Sequence, residues 1–524
     1  MTYRTESLWR SIHPPAPPGG EPRPGRGAGY FRRFTPLGGN RETDVAIIGG
    51  GISGLTAAVL LARSGRRVAI VERDYIGSSE TGNTTAHITE AVDASYQTLI
   101  RDFGEEGARL AAAASRGAIE RVESFARESC HDCGFSRVPG FLYSERQSDL
   151  EWLASELDAA RRAGCAVTWT DHIPLPFRTA GGVHWDGQAQ LHATAYLEAL
   201  LQECTTRGVR LYEGTHAVAV ADGEPCEVET DRGIIRARDV FVAANVPVNN
   251  RVMLHTKLAA YRSYAIATEY RTSLDGLFWD TDDPYHYIRT QETGGHSYLI
   301  VGGEDHRTGE EQGTDARYER LLEYSRHRFD ITEAAYRWSG QIIEPVDGLP
   351  YIGLNSASTH VYVATGYAGN GITFGTLAGM LVSDLMLGRS NPYAGLFDAT
   401  RVKPIASAYD YVAENVSFPE HLLKDRMASF NADPRPVEAL RPGEGAVFAT
   451  EEGKLAVCRD RDGGLHSCSA VCPHLGCEVA WNHAEQTWDC PCHGSRFSPE
   501  GKMINGPAVS DLVWRPVPVG VSRR

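Results

Sequence analysis

No stretch of this 524-residue chain approaches the roughly 20 consecutive apolar residues that a membrane-spanning helix needs. Positive charge is also scarce. Lys and Arg number 52 against 67 Asp and Glu, and the formal net charge of -15 argues against a nucleic acid or an anionic membrane as partner. The N-terminus has no apolar signal core: residues 13–29 are Pro- and Gly-rich, and Arg32-Arg33 is followed by Phe-Thr-Pro-Leu-Gly-Gly rather than a hydrophobic region. We therefore expect a cytoplasmic protein in which residues 1–40 form a surface arm. Cysteine is thinly spread before residue 458, where five of the 11 are scattered, which excludes a disulfide scaffold there. Cys130 and Cys133 form a Cys-x-x-Cys without a preceding strand and read as two ordinary thiols at a helix end. Composition is otherwise that of a globular protein, 42% apolar and 23% charged, and the length calls for more than one domain.

What the chain does have is concentrated at its two ends. Near the C-terminus, Cys472-Pro-His474-Leu-Gly-Cys477 and Cys490-Pro-Cys492-His493-Gly-Ser495 repeat a close pairing of cysteine and histidine. A [2Fe–2S] cluster needs four ligands, and two neutral imidazoles on one iron in place of thiolates remove negative charge and raise the reduction potential. Cys472 and Cys490 are expected to hold one iron, His474 and His493 the other. Zinc takes the same ligand types, but has little need of the Gly-Cys and Gly-Ser that complete the two boxes. Both boxes resemble those of Rieske domains over their whole length. The resemblance implies a Cys477–Cys492 disulfide tying the two loops, and a hydrogen bond from Ser495 to a bridging sulfide. Phe497 departs from the pattern, because high-potential members carry a tyrosine there, so a lower potential is expected.

At the other end, Asp44-Val-Ala-Ile-Ile-Gly49-Gly-Gly51-Ile52-Ser53-Gly54 runs from an apolar strand into an Ala- and Leu-rich helix. Arg67-Val-Ala-Ile-Val-Glu72 then forms a second strand ending in an acid, followed by Arg73. This is a dinucleotide-binding pattern: one glycine for the tight turn, one for close approach to the pyrophosphate, Gly54 for helix-on-strand packing, and Glu72 for ribose hydroxyls.

Further stretches resemble the D-amino-acid-oxidase-like family of FAD oxidoreductases over roughly residues 40–420. They are Gly82-Asn-Thr84-Thr85-Ala-His87, then Asp186 to His192 with the crossover Gly208 to Thr215 leading to Ala217, and finally Asp347 to Gly353 with Val361 to Gly366-Tyr-Ala-Gly369-Asn370-Gly371-Ile372. The resemblance implies FAD rather than a nicotinamide as tightly bound cofactor, and just one GxGxxG unit is present. Some relatives attach FAD covalently near His87, and a histidine packed beside the flavin is the other reading.

The fold class expected is an α/β (α+β) two-layer Rossmann-type FAD domain with an antiparallel-sheet substrate domain, followed by a small all-β Rieske domain. We place the oxidoreductase at residues 41–416, with FAD-binding parts at 41–95, 185–250 and 335–390 and substrate-side parts at 96–184 and 251–334. A linker follows at 417–441 and the Rieske domain at 442–524.

A fused cluster takes one electron at a time, which suits a flavin dehydrogenase that discharges stepwise to an external acceptor such as a ferredoxin, cytochrome or quinone. The family resemblance implies oxidation of a small amine or amino acid. A reductase component serving a partner oxygenase is the alternative. An oxygenase acting by itself would need paired histidines four or five positions apart, and none stands outside the cluster boxes. Tyr264, Tyr287, Arg289 and His306, in strands rich in Tyr, His and Arg, are the candidate substrate residues, since Arg clamps carboxylates and His or Tyr serves as a base.

Overall fold

A computed structural model describes residues 4–12, 33–129, 131–247, 254–293, 295–402, 433, 435–450 and 453–517. The strand Arg41–Ile48 lies parallel between Val68–Val71 and Gly233–Val242, and Val361–Thr365 extends the ladder on the far side of Gly233–Val242. These are the inner strands of an eight-stranded sheet. Val68–Val71 and Val361–Thr365 are buried throughout, as parallel strands covered on both faces must be, which is why they read as unbroken apolar runs. Two helices, Ile52–Arg63 and Gly371–Met386, start at the ends of strands and cross closely. Glycine permits this approach, since a Cβ on Gly379 would lie 2.6 Å from that of Thr56.

The second layer is a nine-stranded sheet with Tyr336–Pro345, Leu258–Glu269, His296–Arg307 and His286–Thr293 as antiparallel neighbours. Its one parallel pair among the described residues is Ser136–Ser144 with Leu277–Asp280. The helix Asp315–Phe329 covers one face, packing Tyr318, Leu321 and Leu322 against Tyr264, Ile266 and Val301. The opposite face turns toward the dinucleotide layer.

Three expected boundaries shift. Strands Gly181–Gln190 and Tyr336–Pro345 belong to the nine-stranded sheet rather than to the FAD-side layer, and the long helix Tyr96–Glu128 shares its core with the FAD-side helices. Residues 4–12 are not a surface arm: Leu8 and Trp9 are buried, and Ser7 donates to the Gly82 carbonyl at 2.6 Å. Residues 13–32, where proline and glycine concentrate, lie outside the described residues, as do Cys130 and most of the expected linker. The linker's last residues belong to the C-terminal domain, with Val437 and Leu440 buried against Phe448 and Val457.

That domain is all β in its sheets, three strands in one and four in the other. Trp481, Trp488 and Phe497 fill its core together with Cys472 and Cys490. It is docked on the flavin domain through buried charge. Arg262, 1% exposed, pairs with Glu485 at 2.6 Å, Glu485 with Arg496 at 3.0 Å, and Arg496 with Asp489 at 3.0 Å. Burial alone raises the Glu485 pKa, but the charges of Arg262 and Arg496 outweigh it and hold that carboxyl at about 2. Thr314 donates to Asn482 at 2.6 Å and Asn505 to Glu80 at 3.1 Å, so the docking is polar across its breadth.

Candidate active site and cluster site

A cavity of about 790 Å³ lies between the two layers. Gly49, Gly51, Ile52, Ser53, Glu72, Arg73, Thr84, Thr85, His87, Ala217, Gly369, Asn370, Gly371 and Ile372 all line it. The glycines are demanded by geometry: Gly49 has φ +108°, and a Cβ there would sit 2.4 Å from the Ala243 carbonyl oxygen. Glu72 accepts the Gly50 N–H at 2.8 Å, which fixes the turn while the acid faces the cavity. Gly54 and Gly366 are not among the lining residues. Gly54 seats the helix on the turn, with room for a Cβ denied by the Gly49 carbonyl at 2.1 Å, and Gly366, at φ +78°, packs against Pro345 and Leu258. A long cleft bordered by a glycine turn, a helix N-terminus and an acid at the second strand end fits a dinucleotide.

Of the four candidate substrate residues, Tyr287 alone lines the cavity among the described residues. Its hydroxyl lies 2.9 Å from Ser263 and its ring meets His87 edge-on at 5.4 Å. Tyr264 and His306 point away. Side chains alternate along a strand, so Ser263 and Ala265 face the cavity while Tyr264 faces the covering helix, stacked on His306 and hydrogen-bonded to it at 3.0 Å. Arg289 is fully buried and donates to the carbonyls of Thr85 at 3.0 Å, Ala86 at 2.8 Å and Leu191 at 3.3 Å. It braces the His87 loop from behind, and burial lowers its pKa to about 9.

His87 is held by Thr85 at 3.2 Å and the Ile288 carbonyl at 3.3 Å, and burial with the Arg289 charge lowers its pKa to about 3, so its imidazole is neutral. One residue escaped the sequence reading. Asp93 lines the cavity beside Gly369, whose N–H it accepts, and desolvation raises its pKa to about 6. Asp305 and Glu344, which face it electrostatically, are pushed by burial to about 7. No motif marks these acids, because three distant segments bring them together.

At the cluster site the two boxes fold into matching turns. The Gly476 N–H returns to the Cys472 carbonyl and the Gly494 N–H to that of Cys490, both at 3.0 Å, and both glycines have positive φ, +84° and +76°. This explains why each box carries a glycine four residues after its first cysteine. The Cys472 and Cys490 thiols hydrogen-bond to one another, and the His474 and His493 rings stand 5.0 Å apart. Cys477 and Cys492 form a disulfide with Cα atoms 6.4 Å apart. Ser495 reaches the Cys472 sulfur and accepts the Ala508 N–H at 3.0 Å. Hydrogen bonding to Cys490 lowers the Cys472 pKa and favours its thiolate. Two thiols beside two imidazoles suit a mixed-ligand [2Fe–2S] centre. The ring of Phe497 is buried in this core and offers no hydroxyl.

The histidine edge of this site rests on the flavin domain. The Gln341 amide donates to the Gly494 carbonyl at 2.7 Å, and Gln341 also lines the cavity. Arg73 donates to the Ile504 carbonyl from the other end of the same cavity.

Comparison with known proteins agrees with this geometry. The FAD dependent oxidoreductase (DAO) family profile matches residues 44–385, and the Rieske [2Fe-2S] domain profile matches residues 434–517. YhfW of Bacillus subtilis, a protein named for a Rieske 2Fe-2S centre, is 32% identical over 483 residues, covering 91% of this chain and 94% of its own. The gamma-glutamylputrescine oxidoreductase of Escherichia coli is 21% identical over 375 residues, 69% of this chain and 87% of its own. Among solved structures, glycine oxidase from Geobacillus kaustophilus shares the fold with a TM-score of 0.59 and 22% identity, over 69% of this chain and 99% of that one. FAD and a [2Fe–2S] cluster are the cofactors these two domains imply. Cavity, cluster loops and profiles together place the chain in the FAD dependent oxidoreductase (DAO) family, with a Rieske [2Fe-2S] domain at its C-terminus.

Proposed function

We propose that the protein dehydrogenates a small amine or amino-acid-like substrate and passes the electrons singly, through its own cluster, to an external one-electron acceptor. The carrying observation is the shared wall: Gln341 borders the flavin cavity and holds the Gly494 carbonyl of a cluster loop at 2.7 Å. Bound FAD would take the hydride, and the cluster one electron at a time.

The protein's own residues have three tasks. Tyr287, Ser263 and His87 border the substrate end of the cavity, and Tyr287 orients what binds there. Asp93 accepts the proton that an ammonium group must lose before oxidation, a role for which a carboxylate near pKa 6 is suited at neutral pH. Arg289 keeps the Thr85–His87 backbone in place. The Escherichia coli relative is named for gamma-glutamylputrescine and the Geobacillus protein of the same fold for glycine, which supports an amine-bearing substrate.

Anaerobic titration with amines and amino acids tests the reading. Bleaching of flavin absorbance followed by the electron spin resonance signal of reduced cluster is expected. Bleaching by NAD(P)H, with none by any amine or amino acid, would replace this function with that of a reductase component.

A further inference from the structure

Between cavity and cluster stands one more histidine, and neither the glycine motif nor the cluster boxes include it. His255 opens the turn His255–Lys257 that leads into the strand Leu258–Glu269. It is 3% exposed. Its ring meets that of His474 at 4.9 Å and 74°, and that of His493 at 5.7 Å and 68°. The two cluster-ligand rings stand 5.0 Å from one another, so three imidazoles form a closed edge-to-face set, two from the Rieske loops and one from the flavin domain. On its other side His255 faces the backbone of Pro247, and its Nδ1 is buried with no hydrogen-bond partner among the described residues. The preceding residues, Asn245 and Val246, line the cavity. Asn245 also donates to Gln341 at 3.3 Å, and Gln341 in turn donates to Gly494 at 2.7 Å.

A buried imidazole with no ion pair among the described residues costs desolvation, and packing alone would be served better by an apolar ring. Here the ring stands between the edges of both ligand histidines and the chain that continues the cavity wall past Val246. Contact of ring edges with the ligand imidazoles sets their orientation, which outer partners of metal-bound histidine commonly do.

We propose that His255 is a positioning residue of the electron path: it locks the histidine edge of the cluster against the flavin domain, so that an electron would leave the cavity at the Asn245–Val246 wall and enter the cluster at its imidazole side. The inference rests on the intrachain transfer proposed above and assigns it a route. With both groups bound, each passage would take one electron from the reduced flavin and give one to the cluster, and the external one-electron acceptor would remove each in turn, so two passages would complete the oxidation of one substrate.

The test uses the full-length holoprotein with both cofactors loaded. In His255→Ala and in His255→Phe, which keeps a ring but loses its nitrogens, substrate-driven bleaching of the flavin should proceed at the wild-type rate. Reduction of the cluster, followed by stopped flow, should slow at least tenfold in the alanine variant, with part of that loss recovered by phenylalanine. The nitrogen hyperfine couplings of the ligand histidines should shift in the alanine variant, a change that loss of fold elsewhere would not produce. Cluster reduction within twofold of wild type in the alanine variant, at full iron content, would overturn the assignment. Wild-type protein whose flavin bleaches while its cluster stays oxidised would instead overturn intrachain transfer itself.

Discussion

At the C-terminal end, all four ligand candidates and both disulfide cysteines fall between residues 472 and 493, on two turns of the same design. At the flavin end the cavity wall is drawn from Ile48 to Ala508, across two sheets and the edge of the Rieske domain itself. A cluster needs its ligands at fixed distances from two irons, so local chain geometry can supply them and their spacing shows in the sequence. A substrate chamber needs only that certain side chains converge, and nothing in one stretch of sequence records where a remote strand will turn its face.

The sharpest way to break this comparison is to remove one cluster ligand. Cys490→Ser should abolish bound iron and the cluster signal while leaving bound FAD and flavin bleaching intact, as measured by iron analysis and absorbance. Joint loss of both cofactors would mean that the two ends do not fold independently of their ligands.

Next in size is the ion-pair chain that docks the ends together. Glu485→Gln leaves Arg262 buried beside a neutral partner and should cost about 3–5 kcal/mol in denaturant unfolding. Because the folded Glu485 pKa, about 2, lies below the ordinary 4.5, its contribution is fully present above pH 4.5 and is lost as pH falls toward 2. The wild-type protein should therefore lose stability over that acid window more steeply than the Gln variant.

A smaller effect separates the two faces of one sheet. Tyr287→Phe should lower kcat/KM about tenfold, and Tyr264→Phe less than twofold, because one hydroxyl faces the cavity and the other a covering helix. With Asp93 as base, kcat/KM should rise with pH through a limb between about 6 and 7, the range to which desolvation raises Asp93, Asp305 and Glu344. Equal effects of the two tyrosine substitutions would erase the distinction.

The smallest is electronic. Phe497→Tyr restores the hydroxyl of the high-potential pattern and should raise the cluster midpoint potential by on the order of 50 mV, one hydrogen bond's worth for a one-electron couple. An unchanged or lower potential would show that the ring at this position does not reach a ligand sulfur.

The glycine turn, the acid at Glu72, the closing Gly369–Ile372 segment and the cluster boxes stand out in the sequence because each is written in consecutive residues, and the first three line the cavity. Tyr264 and His306 were misread for a reason of one-residue parity. In a strand dense with Tyr, Arg and Ser, composition does not say which alternate set faces inward, and Ser263 and Ala265 hold that side. Arg289 looks like a carboxylate clamp by residue type, yet its fork is spent on four backbone carbonyls and the Gln291 amide oxygen. Trp9 was assigned to an arm because the proline-rich stretch after it dominates the local composition, while its own burial depends on contacts near Thr84 and His192. Asp93 and His255 left no local trace at all.

The proposed function requires electrons to cross within one chain, from the cavity to the cluster site docked on its wall. Its most direct test is the rate of cluster reduction after rapid anaerobic mixing with a substrate that bleaches the flavin, measured across a hundredfold range of protein concentration. A first-order rate that stays constant over the range is the predicted result; a rate that climbs in proportion to protein concentration would show that electrons travel between molecules and contradict it.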